Sequence, residues 1–447
     1  MHARFSVSLF FLLTFSLLFG QGLFGQAPLN TIARQITLAE AEEMLLQRNL
    51  NVVATRQQLE VSQALRTIAG YKPNPTLQLG AEQFPLYSPV AGSFPRFFAT
   101  NGDAGANPTW TAQFGKLYER GGKRELRVAQ AEAQIDAVKA QVSDVFRTQL
   151  LQLRTAFNTA MLARENLRLA KQMDGDYQKT EDLTTTRVKA GDLAAMEVFR
   201  VKAGRLVYKQ AILDAETAYE LAGRDIMSLL NAHRVVGGAS QIAIPGGPML
   251  EVAGGFLNRP IAQSVGELRE IAVKERPDIL VARNNLRAAQ SGVELAKAQR
   301  ARDVTVTMEY QRVGSDSALG LIAQMPLFLY NNQKAAVGQV LAQSRIAETQ
   351  VRQAEMQALT DVEKAYQANR AARAAMELYS GDNLVQVEQL RKTVEFSYRR
   401  GEASLFELLD AQRIARAAEA GFNQAQANLQ LSLWQMEAAV GRALDKP

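Results

Sequence analysis

Two stretches of this chain repeat one another, and the duplication limits the folds open to it. Residues 37–79 align without a gap on residues 264–306, an offset of 227 positions. Further along, Gly191 falls on Gly401, an offset of 210, so the first copy carries 17 extra residues between the two blocks. Identities in the first block include Glu40 with Glu267, Glu43 with Glu270, Arg56 with Arg283, Leu59 with Leu286 and Gln63 with Gln290. A duplicated chain builds one supersecondary unit twice.

Each copy opens with a helix, predicted at 38–69 and at 265–299, and continues with a β-hairpin, predicted at 76–115 and at 304–325. Apolar and polar residues alternate along the hairpin strands, which predicts strands with one apolar face. In the second copy Val304, Val306, Met308 and Tyr310 alternate with Thr305, Thr307, Glu309 and Gln311. The extra residues of the first copy fall in its hairpin loop, Gln83 to Asn107, whereas the second loop is only Arg312 to Ser317.

A very long helical stretch follows each hairpin, from Gly122 to Val188 and from Asn332 to Arg399. Apolar residues recur there at the three-four spacing of a coiled coil, and a helix of that length extends about 100 Å. Each stretch ends at a glycine turn, near Gly191 or Gly401, after which a second helix returns. Within the stretches we expect local bends at two glycines, Gly175 and Gly381.

The ends and the middle of the chain divide it further. The apolar run Val7 to Phe19 is too short to cross a bilayer but suits a signal peptide, predicted at 1–26. The first repeat then occupies 27–232, a Gly- and Pro-rich connector 233–263, and the second repeat 264–447. In sequence the later segments lack the run of about 20 apolar residues that a transmembrane helix needs. We therefore expect an exported protein that crosses any membrane with strands.

Composition argues against several classes of function. The sequence has two histidines and no cysteine, so a soft-metal site, a cysteine nucleophile, disulfides and lipid attachment are not expected. The net charge of +6 is spread along helices among acids, which is typical of solvated helix faces and not of nucleic-acid binding. Nucleotide loops and Ser-His-Asp arrangements are also lacking. We predict a protein that is not an enzyme and holds no cofactor or metal.

Four strands cannot close a barrel, and open sheet edges cannot face lipid. Other copies of the chain must therefore complete the sheet, and a conducting channel needs at least three because an eight-stranded barrel is filled by its own side chains. Aromatic residues near the hairpin ends suit a membrane–water boundary. They are Tyr71, Phe84, Tyr87, Trp110, Tyr118, Tyr310, Phe328 and Tyr330.

The segment from Tyr398 to Ala411 resembles the second periplasmic turn of the TolC-like outer-membrane efflux proteins, Tyr-x-x-Gly-x-x-(Ser/Thr)-x-x-Asp-x-Leu-Asp-Ala. The resemblance covers nearly the whole mature chain, and 121–124 (Gly-Gly-Lys-Arg) is similar to the cobalt-zinc-cadmium cation-efflux branch. It implies a homotrimer whose twelve-stranded β-barrel lies in the lipid of the bacterial outer membrane and whose helical tunnel crosses the periplasm. It also implies a periplasmic adaptor and an inner-membrane pump, of the RND type or another, as partners.

The resemblance further implies where the site lies, at the narrow end of the tunnel. Aromatic and acidic rings are implied at Tyr398, Glu407, Asp410 and Glu197, and an adaptor-docking tip at Gly191, Asp192, Gly401, Glu402 and Ser404. The family's first acid is usually Asp, and here it is Glu407; its gate arginine is replaced by Ala403. We expect Arg399, Arg400 or Arg200 to supply the salt bridges that lock the closed end.

Symmetry would multiply the acids into rings that admit cations. The competing interpretation is that they sit on an exposed helix face and complement the dipole of the returning helix. For the whole chain we expect the exit duct of a tripartite pump, with metal cations as its substrate. Multidrug efflux and type I protein secretion are alternatives within that function, and a periplasmic coiled-coil adaptor or scaffold is the alternative from a different class.

Overall fold

The computed structural model describes residues 35–82, 108–232, 250–379 and 382–444, which form nine helices and six strands. The predicted signal peptide, the loop at 83–107, most of the connector and Gly381 lie outside the described residues. The strands are β1 (Gln35–Thr37), β2 (Thr76–Glu82), β3 (Thr109–Tyr118), β4 (Glu251–Ala253), β5 (Val304–Val313) and β6 (Asp316–Gln324). The helices are α1 (Leu38–Arg48), α2 (Leu50–Ala69), α3 (Lys123–Lys189), α4 (Ala195–Leu229), α5 (Val265–Glu275), α6 (Pro277–Ala298), α7 (Lys334–Tyr379), α8 (Asp382–Arg400) and α9 (Leu405–Val440). The fold is mainly helical with a small β part, as predicted.

Each copy opens with a helix in two pieces, not with the single helices predicted at 38–69 and 265–299. Asn49 separates α1 from α2: its backbone is extended, and its side chain accepts hydrogen bonds from two N–H groups in the first turn of α2. Arg276 separates α5 from α6 because Pro277, which follows it, disfavours helical backbone in the preceding residue. The two breaks occupy the same place in the repeat.

The first helix of each copy begins with the same local structure. Thr37 caps α1 and Ser264 caps α5, in each case through a capping box with the glutamate three residues on. The side chain of Thr37 or Ser264 accepts from the backbone of that glutamate, whose carboxylate accepts in return. Two orphan N–H groups at each helix start are thereby satisfied.

The two hairpins form one antiparallel sheet of strand order β2-β3-β5-β6, because β3 pairs with β5. The two hairpins, which the sequence predicts one by one, are therefore joined to each other within the described strands. The second hairpin is also tighter than predicted: its strands extend to Val313 and from Asp316, leaving a two-residue turn in which Gly314 has φ 59°. The outer edges of β2 and β6 carry no partner strand within the described chain.

Strand register sorts the side chains of this sheet into two faces. One face carries three apolar-rich rows, Leu77–Phe114–Met308–Leu321, Leu79–Ala112–Tyr310–Leu319 and Ala81–Trp110–Arg312–Ser317. The opposite face carries Gln78–Gln113–Glu309–Gly320 and Gly80–Thr111–Gln311–Ala318. The apolar side chains of the edge strands are exposed in the single chain, Leu79 to 74% and Leu321 to 77%. An isolated chain would leave that face in water, which is unfavourable.

The helix α3 has 67 residues and continues without a break through Gly175, where the sequence predicts a local bend. A Cβ at Gly175 would meet no atom within 4 Å, hence close packing does not require the glycine. The second long stretch begins at Lys334, two residues later than predicted. Among the described residues, no helix is both long and apolar enough to cross a lipid bilayer.

Helix packing continues the order of the sheet. The helices contact one another in the order α2, α3, α6, α7, which matches β2-β3-β5-β6. Towards the other end of the long helices, α4 packs on α3, while α9 packs between α3 and α7 and against α8. The strands and helices thus form one layer with two lateral edges: β2 and α2 lie at one edge, and β6 and α7 lie at the other.

A second, small sheet pins the connector to the helices. The strand β4 lies in the predicted connector and pairs in parallel with β1. Tyr219 on α4 anchors β4, because its hydroxyl donates to the carbonyl of Leu250 and accepts from the N–H of Val252, both at 3.0 Å. Arg164 on α3 donates to the Val252 carbonyl at 2.6 Å. Ile36, Leu250 and Val252 belong to one buried core with α1, α3 and α4.

Candidate functional site at the glycine turns

The turns that join α3 to α4 and α8 to α9 share one backbone design. Gly191 and Gly401 have φ of 81° and 80°, in the left-handed region that only glycine adopts at little cost. In both turns the glycine N–H donates to the carbonyl three residues earlier in the chain. The N–H of the following residue, Asp192 or Glu402, donates to the carbonyl five residues earlier than that residue. These bonds measure 2.9–3.1 Å and satisfy the last carbonyls of the helix.

The helices that leave the two turns are capped differently. Ser404 caps α9: its hydroxyl accepts from the N–H of Glu407 at 3.2 Å, and its own N–H donates to the Glu407 carboxylate at 2.6 Å. In the first turn Ala194 has the same extended backbone but no side chain that could accept a hydrogen bond. The second turn therefore has a capping box that the first one lacks.

Each predicted acid of the site has its nearest polar partner on its own helix. Hydrogen bonds from Ser404 hold the pKa of the Glu407 carboxyl below its usual value, with the larger effect from the backbone N–H and the smaller from the hydroxyl. Asp410 pairs with Arg413 at 2.7 Å, and Glu197 pairs with Arg200 at 3.0 Å. Of the three acids, Glu407 is thus the one without a cationic partner among the described residues.

Tyr398 is buried, which corrects the prediction that it forms a constricting aromatic ring. Its side chain is 1% exposed, and its hydroxyl lies 3.0 Å from the Thr184 hydroxyl on α3. A side chain enclosed by its own protomer cannot line an opening in this conformation. Tyr398 instead fixes the second turn to α3, within a core that also contains Tyr177, Tyr208 and Leu408.

The three arginines predicted to lock the site contact residues of their own helices. Arg399 pairs with Glu395 at 2.5 Å, the Arg400 guanidinium stacks 4.2 Å from the centre of the Phe396 ring, and Arg200 pairs with Glu197 as above. Within the described residues of one chain none of the three bonds to Glu407 or Asp410, so the salt bridges expected at the closed end stay a prediction about contacts between copies.

Arg187, which no sequence pattern indicated, is a further residue that bridges the two helical hairpins, α3–α4 and α8–α9. Its guanidinium donates to the Tyr398 carbonyl at 3.2 Å and lies 5.3 Å from the centre of the Tyr398 ring. It also lies 3.4 Å from the place where a Cβ at Gly401 would be. Arg187 precedes its own glycine turn by four residues, and its partner is 211 residues away, so no local pattern could reveal the contact.

The Gly-Gly-Lys-Arg segment, taken from sequence as a cation-efflux signature, has a structural role at the junction of β3 and α3. Gly121 and Gly122 both have positive φ, and a Cβ at Gly121 would lie 2.9 Å from that of Ala301. The Lys123 ammonium donates to the Asp303 carboxylate at 2.8 Å. Burial raises the pKa of Asp303, but hydrogen bonds from Lys123 and the Arg120 N–H outweigh it and leave that pKa below its usual value.

Clusters of His, Cys, Asp and Glu that could hold a metal ion do not occur in the described part of the chain. The acids at the turns are spaced along helix surfaces and engaged as described, and they do not converge on a common point. The geometry supports a charged and hydrogen-bonded tip, and not a ligand cage.

A sequence model of the family described as "outer membrane efflux protein" matches residues 42–232 and 268–442, which span both repeats. The chain belongs to this family. The predicted resemblance is confirmed, and efflux through the outer membrane is the function that the family's description gives.

Individual relatives are distant in sequence but cover most of the chain. Nodulation protein T of Rhizobium leguminosarum bv. trifolii is 23% identical over 399 residues, covering 86% of this chain and 80% of that protein. The cobalt-zinc-cadmium resistance protein CzcC of Cupriavidus metallidurans is 20% identical over 383 residues, covering 85% and 84%. The CmeC outer membrane channel of Campylobacter jejuni has the same fold, with a TM-score of 0.72 at 14% identity over 92% of this chain and 87% of that one.

Proposed function

We propose that this protein is the outer-membrane exit channel of a tripartite efflux pump and works as a homotrimer. The observation that carries the proposal is the four-stranded sheet, which has an exposed apolar face and two edges without a partner strand in the described chain. Three copies arranged head to tail would pair β6 of one with β2 of the next and close twelve strands around a polar interior. The apolar face would then meet lipid, and no edge would remain open.

The helices support the same assembly, because their order follows that of the strands. In a trimer α7 of one copy would meet α2 of the next, continuing the wall below the sheet. The helix α4 lies at a lateral edge and exposes apolar side chains that another copy would cover. They are Met196 at 67%, Phe199 at 69%, Leu206 at 65% and Leu213 at 58%.

The glycine turns would form the far end of this wall, since α3 extends about 100 Å from the sheet. Their backbone tips at Gly191, Asp192, Gly401 and Glu402, together with Ser404, are exposed and suit contact with a periplasmic adaptor that hands substrate over from an inner-membrane pump. The protein would conduct passively, as a channel and not as an enzyme. The joined sheet and the family membership weigh against the alternative of a periplasmic coiled-coil scaffold.

For the substrate we propose metal cations. Support comes from the relative named as a cobalt-zinc-cadmium resistance protein and from Glu407. Hydrogen bonds from Ser404 hold the pKa of Glu407 below its usual value, and three copies would place three carboxylates around the narrow end. The paired acids Glu197 and Asp410 would contribute less to that ring, because Arg200 and Arg413 offset their charge.

The test is the susceptibility of a strain that lacks the gene, with and without a plasmid copy, to divalent metals, amphipathic drugs and exported toxins. We expect sensitivity to metals that the plasmid reverses. Sensitivity to drugs alone, or loss of a secreted protein, would overturn the metal assignment in favour of drug efflux or protein secretion. An unchanged response to every agent would contradict efflux itself.

A further inference from the structure

The polar face of the four-stranded sheet carries a charge pattern with a functional consequence. Glu309 lies in the middle of β5, and the register places Gln113 on one side of it and Gly320 on the other. Between the ends of the described strands it is the single charged side chain on this face; Glu82 and Asp316 follow at the hairpin end. All three are acids, whereas the bases Lys116 and Arg312 lie on the apolar face, towards its ends.

The Glu309 carboxylate has room and no neutralising partner. A Cβ placed at Gly320 would lie 3.9 Å from the Cβ of Glu309, so the neighbouring position is open. Among the described residues no cation pairs with Glu309 and no hydrogen bond involves its side chain. The adjacent residues Met308 and Tyr310 point the other way, with 51% and 43% of their surface exposed on the apolar face.

We infer that Glu309 sets the cation preference of the pore at the level of the sheet. The inference rests on the proposed function, in which three copies enclose the polar face. Symmetry would then place three Glu309 carboxylates at one level of a water-filled channel with an apolar outer wall. Like charges held there lower the energy of a cation and raise that of an anion, and the low-dielectric wall strengthens the effect. The substrate class favoured is a cationic solute, organic or metallic.

The experiment uses the absence of cysteine from the natural chain. Single cysteines are introduced into the full-length protein in outer-membrane vesicles and labelled with two small water-soluble thiol reagents, one cationic with a trimethylammonium group and one anionic with a sulfonate. The first pair of variants, Glu309→Cys and Met308→Cys, tests the faces, since adjacent residues point to opposite sides. We expect Glu309→Cys to react and Met308→Cys to be protected by lipid.

The second step measures the potential. Gln113→Cys places the thiol directly across from Glu309, and the ratio of cationic to anionic labelling rates is compared with and without Glu309→Gln. We expect that ratio to fall roughly tenfold at low ionic strength and less at high salt, because a unit charge at such a separation acts oppositely on the two reagents. The matched control is Glu363→Gln, the same change on α7, where the side chain is 57% exposed and paired with Arg269. It should leave the ratio unchanged.

The outcomes separate the inference from the proposed function. Equal labelling of Glu309→Cys and Met308→Cys would show that the sheet does not divide water from lipid, which contradicts the channel assembly. In a second outcome, Glu309→Cys is labelled selectively, but the ratio of labelling rates at Gln113→Cys is the same with and without Glu309→Gln. That result would overturn the inference and leave the channel in place. A tenfold fall confined to Glu309→Gln would support both.

Discussion

The two glycine turns have nearly the same backbone and very different side-chain surroundings. Both use a left-handed glycine and the same pair of terminal hydrogen bonds. At the repeat offset of 210, however, Tyr398 of the second turn corresponds to Val188 of the first, and Ser404 corresponds to Ala194. Duplication has therefore kept the path of the chain while the residues that fasten it have diverged.

The divergence makes the second turn the better anchored of the two. Tyr398 is buried against α3, Arg187 bonds to its carbonyl, and Ser404 caps the returning helix. The helix after the first turn has no side-chain cap, and its Met196 and Phe199 are exposed. We expect the first turn to open locally at lower free energy than the second.

Removing the buried aromatic ring should have the largest effect. Tyr398→Ala creates a cavity and breaks the contact with Thr184, so we expect a loss of about 3–5 kcal/mol in the free energy of unfolding. The matched change in the first turn, Val188→Ala, removes a smaller and partly exposed side chain and should cost about 1 kcal/mol or less. Denaturant titration of the detergent-solubilised protein measures both. Equal losses would refute the asymmetry between the turns.

Next in size is the bond from Arg187 to the Tyr398 carbonyl. Arg187→Gln should destabilise by about 1–2 kcal/mol, since a hydrogen bond from a charged donor is lost at a partly exposed site. It should also speed proteolytic cleavage at the second turn. Lys189→Gln, an exposed change on the same helix, is the control and should alter neither quantity. If cleavage at the second turn proceeds at the same rate in both variants, Arg187 does not hold it.

The caps can be exchanged between the turns. Ser404→Ala removes one capping box and should cost about 1 kcal/mol. Ala194→Ser has the matching extended backbone and a glutamate three residues on, so it should gain about 0.5–1 kcal/mol. Thermal melting of both variants decides the point, and a loss of stability in Ala194→Ser would contradict the proposed equivalence of the turns.

The smallest expected effect is a pH dependence at Glu407. Its folded-state pKa lies below the ordinary value of 4.5, so the stability it contributes is present above about pH 4.5 and is lost as the pH falls through the folded value. The melting temperatures of the natural protein and of Glu407→Gln should therefore differ at neutral pH and converge on acidification. If the difference in melting temperature stayed constant down to pH 3, the Glu407 carboxylate would not be the origin of the extra stability.

Local patterns account for what the sequence predicted well. The period-two alternation along β5 and the glycine turn at Gly401 each depend on neighbouring residues, and both occur where predicted. The capping box of Ser404 and Glu407 can also be predicted from neighbouring residues, because a hydroxyl residue is followed three positions later by a glutamate. Pro277 also indicates a helix break at Arg276 from local sequence, but the sequence prediction placed a single helix across that position.

Long-range contacts account for the rest. The burial of Tyr398 depends on α3 lying against the second turn, and the joining of the hairpins depends on β3 meeting β5 across nearly half of the chain. Periodicity says which side of a strand or helix is apolar and not which partner will cover it. For the same reason Arg187 and Glu309 became visible as functional candidates only once register and packing were known.

In the proposed trimer, copies of this chain complete one another's sheet. The direct measurement is disulfide cross-linking in outer-membrane vesicles of double-cysteine variants, with one cysteine among residues 77–81 of β2 and one among residues 317–323 of β6. We predict that at least one such pair yields covalent trimers and nothing larger on a denaturing gel, because β6 of each copy lies beside β2 of the next. Monomers alone from every pair, with the protein released from membranes by salt, would contradict the claim.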